Sequence, residues 1–287
     1  MEINARKTER ATSRNATQEQ NTHRTPRRRN TFFRASYLTP LRWALAPLLG
    51  LLLYIAWVGA VRAELFPAFI LPHPADILAR LAERHAEGRL WLHVWTTAQE
   101  ALIGLAVAVA LALPLGYGVA RNRWLSILLM PYLVAIRAVP VVAIAAVVVI
   151  LLGTGLRSKV FVAAFITWFP LMEATIIGIQ SVDPNLRSLM RSYRATPWQT
   201  FVKLELPSAL PNILSGMTVA ATLSVVGAAV GELISSSQGL AYLIALGRGT
   251  GDTALVFGAV FLLTALSLAL YGVVAALESW VLAWRRT

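Results

Sequence analysis

Long apolar runs, broken by short basic clusters, constrain this chain more than any other feature. Ala101–Gly116 (ALIGLAVAVALALPLG) and Ala146–Gly153 (AVVVILLG) lack the alternation of barrel strands. Backbone groups in lipid must find their hydrogen bonds within the segment, so unalternating runs near the roughly 20 residues of a bilayer crossing are helices. Hydropathy predicts six spans, at about 41–61, 95–119, 126–152, 160–181, 212–233 and 254–283. Composition agrees: 57% of the 287 residues are hydrophobic and 14% charged, against about 25% charged in ordinary globular chains. The expected fold class is an all-α integral membrane protein of about six transmembrane helices.

The net charge of +12 is unevenly placed. Residues 1–42 hold ten of the 26 Lys and Arg, in a segment rich in Thr, Asn and Gln. Such composition cannot bury enough surface to order itself, so 1–40 is expected to be a disordered basic tail. No aromatic residues interleave its arginine cluster, which argues against nucleic acid and leaves lipid headgroups as the counter-charge. With the N-terminus inside, the cytoplasmic pieces carry eighteen basic residues and the outer pieces seven, Arg137 lying within a span. Both termini are therefore expected to be cytoplasmic. The apolar stretch near 43–59 is longer than a secretory signal core, and Arg62 sits awkwardly between Val61 and Ala63. A retained first helix at 41–61 is the expectation.

Residues 62–94 are expected outside the cytoplasm. There Leu71-Pro72-His73-Pro74 stiffens the start of an amphipathic helix with Ile77, Leu78 and Leu81 on one face. Pro114, Pro131, Pro140 and Pro170 lie in or beside spans, where they kink helices and free carbonyls. The chain has no cysteine, and His23, His73, His85 and His93 show no ligand spacing, so solvated surface histidines are expected and no metal. Charges inside the membrane cost at least about 2.5–3.5 kcal/mol when they face lipid. Arg137 and Glu173 come to similar depths on neighbouring spans, which allows a pair. They and Glu232 are the candidate residues of a solute path, the alternative being structural ion pairs. Glu100 and Glu232 fall near the outer ends, where hydration is expected to ease their burden.

Ser188–Pro211 (SLMRSYRATPWQTFVKLELPSALP) is a polar interruption between apolar segments, with Arg187, Arg191, Arg194 and Lys203 on it and its approach. It resembles the cytoplasmic signature of the inner-membrane permeases of ABC importers, the binding-protein-dependent transport family. That pattern reads E-A-A, three residues, G, nine residues, I-x-L-P. Ser188-Leu189-Met190 stand for E-A-A, Arg194 stands for the glycine, and Leu204-Glu205-Leu206-Pro207 complete it. LPHPADIL, GLAVAVALALPLGYGVARNRW and GAAVGELISSSQGLAYLI are similar to further blocks of one branch, over about residues 65–285. That branch handles nitrate, sulfonates and taurine, and heterocycles such as pyrimidine thiamine precursors and riboflavin. Leu189–Ser192 and Ala220–Leu223 are closer to the heterocycle side, whereas Glu100 and Glu173 depart from residues usual in the branch.

The resemblance implies a type I importer permease, with a five-helix core over 95–283 and a cytoplasmic coupling loop at 182–211. Leu189, Met190, Tyr193 and Trp198 would be its apolar contacts to an ATPase subunit and Arg191 the charged one, with Arg194, Leu204, Leu206 and Pro207 completing the loop. It also implies an ATP-binding cassette dimer as partner, a soluble extracytoplasmic binding protein, a bacterial inner-membrane location and a homodimer, since one chain offers one coupling loop. No G-x-x-x-x-G-K-[ST] loop occurs, so no cofactor is expected in this chain, ATP and Mg belonging to the partner. An intramembrane enzyme would need convergent nucleophile and base residues, and no such motif occurs in the spans. A passive channel or membrane scaffold is the alternative of another class; within the family, a sulfonate, taurine or nitrate importer is the alternative to one for a heterocycle.

Overall fold

A computed structural model describes residues 39–67 and 69–283. The expected disordered tail, apart from its last two positions, lies outside them. The described residues contain helices and no strand: α1 (Thr39–Arg62), α2 (Pro74–Ala86), α3 (Leu90–Arg121), α4 (Arg123–Arg137), α5 (Val141–Leu152), α6 (Leu156–Gln180), α7 (Pro184–Ser192), α8 (Pro197–Thr200), α9 (Leu206–Ser235), α10 (Leu240–Thr250) and α11 (Thr253–Val281). Four stretches are long and apolar enough to cross a bilayer among the described residues: α3, α6, Pro197–Ser235 and α11. A fifth crossing exists if α4 and α5 are counted as one bent span. In α1 only Pro47–Arg62 is described in full, an apolar stretch shorter than a span. The all-helical membrane class stands; among the described residues four to five spans are found, and the sixth expected, at 41–61, falls on the partly described α1.

Two boundaries differ from the sequence reading for physical reasons. The single span expected at 126–152 is broken between Arg137 and Val141, and its halves meet at 94°. Pro140 caps α5 and lacks the N–H that would have carried the helix on. Hydropathy sees no interruption there, because the break lies inside an apolar run. The polar interruption is also largely helical. α8 runs through a π-helical turn at Phe201–Glu205 straight into α9, giving one rod of 39 residues over Pro197–Ser235. The amide of Leu206 reaches back five residues to Phe201, and Pro207 follows at the next position with no amide to give.

α6 is the central helix, flanked by α3 and α9. Close approach is made possible by small residues. A Cβ on Gly104 of α3 would stand 2.5 Å from the Ala163 Cβ, and one on Gly227 of α9 would stand 2.6 Å from the Ala163 Cα. Ala163 is therefore clasped from both sides. The core continues along Ala101, Ala112, Leu171, Met172, Ile176, Ala209, Ala220 and Ala228.

α2 starts at His73, whose ring nitrogen accepts the Ala75 amide 3.2 Å away. Ile77 is buried and Leu81 packs toward Gly258 of α11, but Leu78, expected on the same face, is 69% exposed. The turn of helix carries Leu78 about 100° beyond Ile77, off the contact line. Arg80 Nε lies 2.6 Å from Asp252 Oδ2 and also pairs with Glu83, tying α2 to the start of α11. Those hydrogen bonds, Glu83 first, hold the guanidinium charged beyond its ordinary range.

Candidate functional site

Three polar constructions interrupt the apolar body. The first is the basic segment around α7, where the coupling loop was expected. Asp183 caps α7, its carboxylate accepting the Asn185 amide at 2.8 Å, and Pro184 fills the first helical position. α7 ends in a Schellman motif. The Ala195 amide bonds the Met190 carbonyl at 3.0 Å, and the Arg194 amide bonds that of Arg191 at 2.9 Å. The motif places Arg194 in the left-handed region at φ 52°, the position where glycine is usual. Thr196 and Gln199 then form a capping box that starts α8.

No residue of α7 is buried. Leu189 is 50% exposed, Tyr193 78% and Trp198 70%, with Leu186 beside them. Arg191 is exposed and reaches only Ser188, 3.3 Å away, while Met190 is half-buried. Leu204, Leu206 and Pro207 are half-buried at the root of the α9 rod.

This segment is fixed by a residue that the sequence reading passed over. Glu205 is fully buried. Its Oε1 lies 3.2 Å from Arg187 Nε and 3.2 Å from Arg121 NH1, and its Oε2 accepts the Tyr117 hydroxyl at 3.1 Å. Arg187 also donates to the Ile179 carbonyl at the end of α6. One carboxylate thus binds α3, α7 and the start of α9 together. Its charge between two leucines, beside a proline, was the available signal.

The second construction lies at mid-depth. Arg137, the last residue of α4, has NH1 3.5 Å from Glu173 Oε2 on α6, and the two side chains are 52% and 48% exposed. The guanidinium carbon also stands 4.1 Å above the Phe169 ring. The pair allowed by depth is therefore made, and it is open to its surroundings.

The third is a polar knot at the start of α10, and here the expectation of hydrated carboxylates fails. Glu100 and Glu232 are each 1% exposed. Glu100 Oε1 is 2.9 Å from Lys159 Nζ, and that ammonium also donates to Ser236 at 2.7 Å. Glu232 Oε1 accepts the Thr97 hydroxyl at 2.6 Å, and its Oε2 accepts the Ala241 amide at 2.7 Å. Thr97 Oγ1 accepts the Leu240 amide at 2.8 Å, and His93 Nδ1 accepts that of Gly239 at 3.0 Å. The amides of Gly239, Leu240 and Ala241 at the start of α10 are thus held by side chains of α3 and α9, a carboxylate meeting the positive helix end. His93, expected at the solvated surface, is buried and stacks on Tyr242 with ring centroids 5.8 Å apart. These charges sit near the outer ends in sequence, but neighbouring helices close over them. Among the described residues no group of three or more His, Asp or Glu could hold a metal ion.

Apolar helices around a broken span, an open ion pair at mid-depth and an exposed capped helix at one end have the layout of a helical transport permease. The family described as "Binding-protein-dependent transport system inner membrane component" matches residues 111–283, and the chain belongs to it. It is 38% identical to the riboflavin transport system permease protein RibX of Chloroflexus aurantiacus, over 83% of this chain and 89% of that one. It is 32% identical to the formylaminopyrimidine transport permease protein ThiX of Halalkalibacterium halodurans, over 85% and 97%. A putative aliphatic sulfonates transport permease, SsuC of Bacillus subtilis, is 28% identical over 85% and 89%. Among solved structures, inward-facing MetNI methionine ABC transporter superposes with a TM-score of 0.56 at 19% identity, covering 67% of this chain and 97% of that one. That likeness shows the type I importer fold. The chain is a multi-pass membrane transport permease.

Proposed function

We propose that this chain is the membrane subunit of an ATP-driven importer for a small heterocyclic solute, working as a homodimer in the bacterial inner membrane with both termini in the cytoplasm. The observation that carries the coupling half of this reading is the unburied α7, where Leu189, with Tyr193 and Trp198 just beyond the helix, is exposed above a base held by Glu205. An exposed apolar knob on a short helix suits a groove in a partner. Leu189, Met190, Tyr193 and Trp198 make the apolar contact with an ATP-binding cassette subunit, and Arg191 the charged one. ATP and Mg are bound by that partner.

Closure of the ATPase dimer pushes α7. Because Arg187 and Arg121 share Glu205, the push is passed to α3 and α9 together rather than absorbed by a soft loop. The two copies rock between outward- and inward-open states. A soluble binding protein delivers solute at the outer face, near α2 and α10, and Arg137, Glu173 and Glu232 border the path. The heterocycle is favoured because RibX and ThiX, named for riboflavin and formylaminopyrimidine, are more similar to this chain than the sulfonate relative from Bacillus subtilis.

Replacement of Met190 and Tyr193 together by Asp tests the docking surface. The double variant is expected to insert in the membrane normally and to lose co-purification of the ATPase. Retained co-purification overturns the assignment.

A further inference from the structure

Between the elbow of the broken span and α6 lies a hollow of about 190 Å³, lined by Arg137, Val139, Phe165, Trp168 and Phe169 among others. On α6 the residues Phe165, Trp168, Phe169 and Glu173 follow at spacings of three, one and four, which puts them along one helix face. All three rings are half-buried, and Trp168 and Phe169 meet edge to face with centroids 6.4 Å apart. Trp168 and Phe169 are the thirteenth and fourteenth of the 25 residues of α6, so the hollow is at the middle of the membrane.

Two arguments place water or solute in front of it rather than lipid. A half-exposed guanidinium and carboxylate at this depth would be costly against hydrocarbon. The backbone between Arg137 and Val141 is not helical, and irregular backbone at membrane depth is tolerated only where protein covers it or a polar cavity adjoins it. Transporters commonly set their solute sites at such interrupted helices.

We infer that this hollow is the intramembrane subsite for the solute, and that it takes one planar heteroaromatic ring of no net charge. The inference rests on the reading of Arg137 and Glu173 as path residues. Trp168 and Phe169 supply the aromatic surface against which a ring packs. Arg137 presents a fork of donors and Glu173 an acceptor, so a ring edge bearing both acceptor and donor atoms satisfies both. Glu173 stands outside the lining and reaches it through its 3.5 Å contact with Arg137, so the polar edge of the hollow is charge-balanced. A sulfonate would gain from Arg137 and be repelled by Glu173 next to it, and it has no flat face to offer the rings. Size agrees: a cavity of about 150 Å³ holds benzene, so 190 Å³ admits one six-membered ring with small substituents, or one end of a fused system.

The test uses the full chain with its ATPase in nanodiscs, and equilibrium dialysis of three probes at up to millimolar concentration. The probes are 4-amino-2-methylpyrimidine, the bicyclic lumazine and the alkanesulfonate isethionate. At least one ring compound is expected to bind saturably and isethionate not to bind. Trp168→Leu and Arg137→Gln are each expected to weaken ring binding tenfold or more. ATPase co-purification, which depends on α7, is expected to be unchanged in both, and that shows they are folded. The subsite is overturned if neither ring compound binds, if binding survives both substitutions, or if isethionate displaces the ring. Loss of the subsite with the ATPase still bound leaves the importer reading standing, whereas a wild-type chain that binds no ATPase removes the importer reading itself.

Discussion

Arg187 of α7 and Glu205 at the foot of α9 meet at 3.2 Å, guanidinium Nε to a carboxylate that has no exposed surface. On the proposed function, this contact makes α7 a lever rather than a tether. The same oxygen lies 3.2 Å from Arg121, so the charge on Glu205 is matched from two helices.

Glu205→Gln should release that lever. The amide keeps the shape but loses the charge that both guanidiniums face, and an imperfectly satisfied buried polar group costs about 1–3 kcal/mol. Thermal unfolding in detergent should move down accordingly. Trypsin cleavage at Arg187 and Arg191 should quicken as α7 detaches. Tyr117→Phe takes one donor from a buried carboxylate that both guanidiniums still face, so it should cost about 1–3 kcal/mol in melting but leave α7 docked and trypsin cleavage slow. Equal effects on cleavage from the two substitutions would contradict a charge-centred hub.

Arg194 carries the opposite signature, since its backbone strain is local. A non-glycine residue in the left-handed region costs roughly 1–2 kcal/mol, and φ at Arg194 is 52°. Arg194→Gly should therefore raise stability by about 1 kcal/mol, and Arg194→Val should lower it. Melting of the two variants beside the wild type decides the matter. If glycine is neutral, the arginine side chain makes a compensating contact.

Much of this was legible in the sequence, and the exceptions share a cause. Apolar runs of sufficient length gave helices because lipid leaves the backbone no other choice. The cluster at Arg187, Arg191 and Arg194 pointed to the exposed α7 because charge density is a local property. Burial is not local. Glu100 and Glu232 become dry only because α6 brings Lys159 and α3 brings Thr97 to them, and no spacing within one segment reports that. The 94° elbow hides for a related reason: hydropathy measures solubility in lipid and is blind to direction. Pro140 beside Arg137 was the one local hint. Gly239, in a polar turn, gave no sign of its crowded position.

That crowding makes Gly239 the sharpest structural test of the polar knot at the start of α10. Its φ is 114°, and a Cβ there would fall 2.1 Å from the Glu232 carboxyl carbon. Gly251 also has positive φ, at 74°, but open space lies around it. Gly251→Ala should cost only the conformational strain of roughly 1–2 kcal/mol. Gly239→Ala must displace a buried carboxylate that holds the first turn of α10, and should cost several times as much. Proteolysis of the 236–250 segment together with melting temperature measures both. Similar losses in the two variants would mean that the Glu232 contacts do not hold α10.

For Arg137 and Glu173, function and stability should separate. Both side chains are about half exposed, so solvent screens their attraction, and pairs of this kind contribute about 0–1 kcal/mol. Arg137→Ala and Glu173→Ala should each leave melting nearly unchanged. If the two residues border the path as proposed, each variant should nonetheless abolish ATP hydrolysis stimulated by the loaded binding protein, because an unmatched charge is left on it. Exchanging the residues, Arg137→Glu with Glu173→Arg, restores the balance and should recover much of that stimulation. Recovery depends on charge matching across the 3.5 Å gap, whereas a residue needed for its individual shape or for Phe169 stacking would not be rescued. No recovery in the exchanged chain, with both single variants inactive and folded, would remove pairing as the reason these two residues face each other.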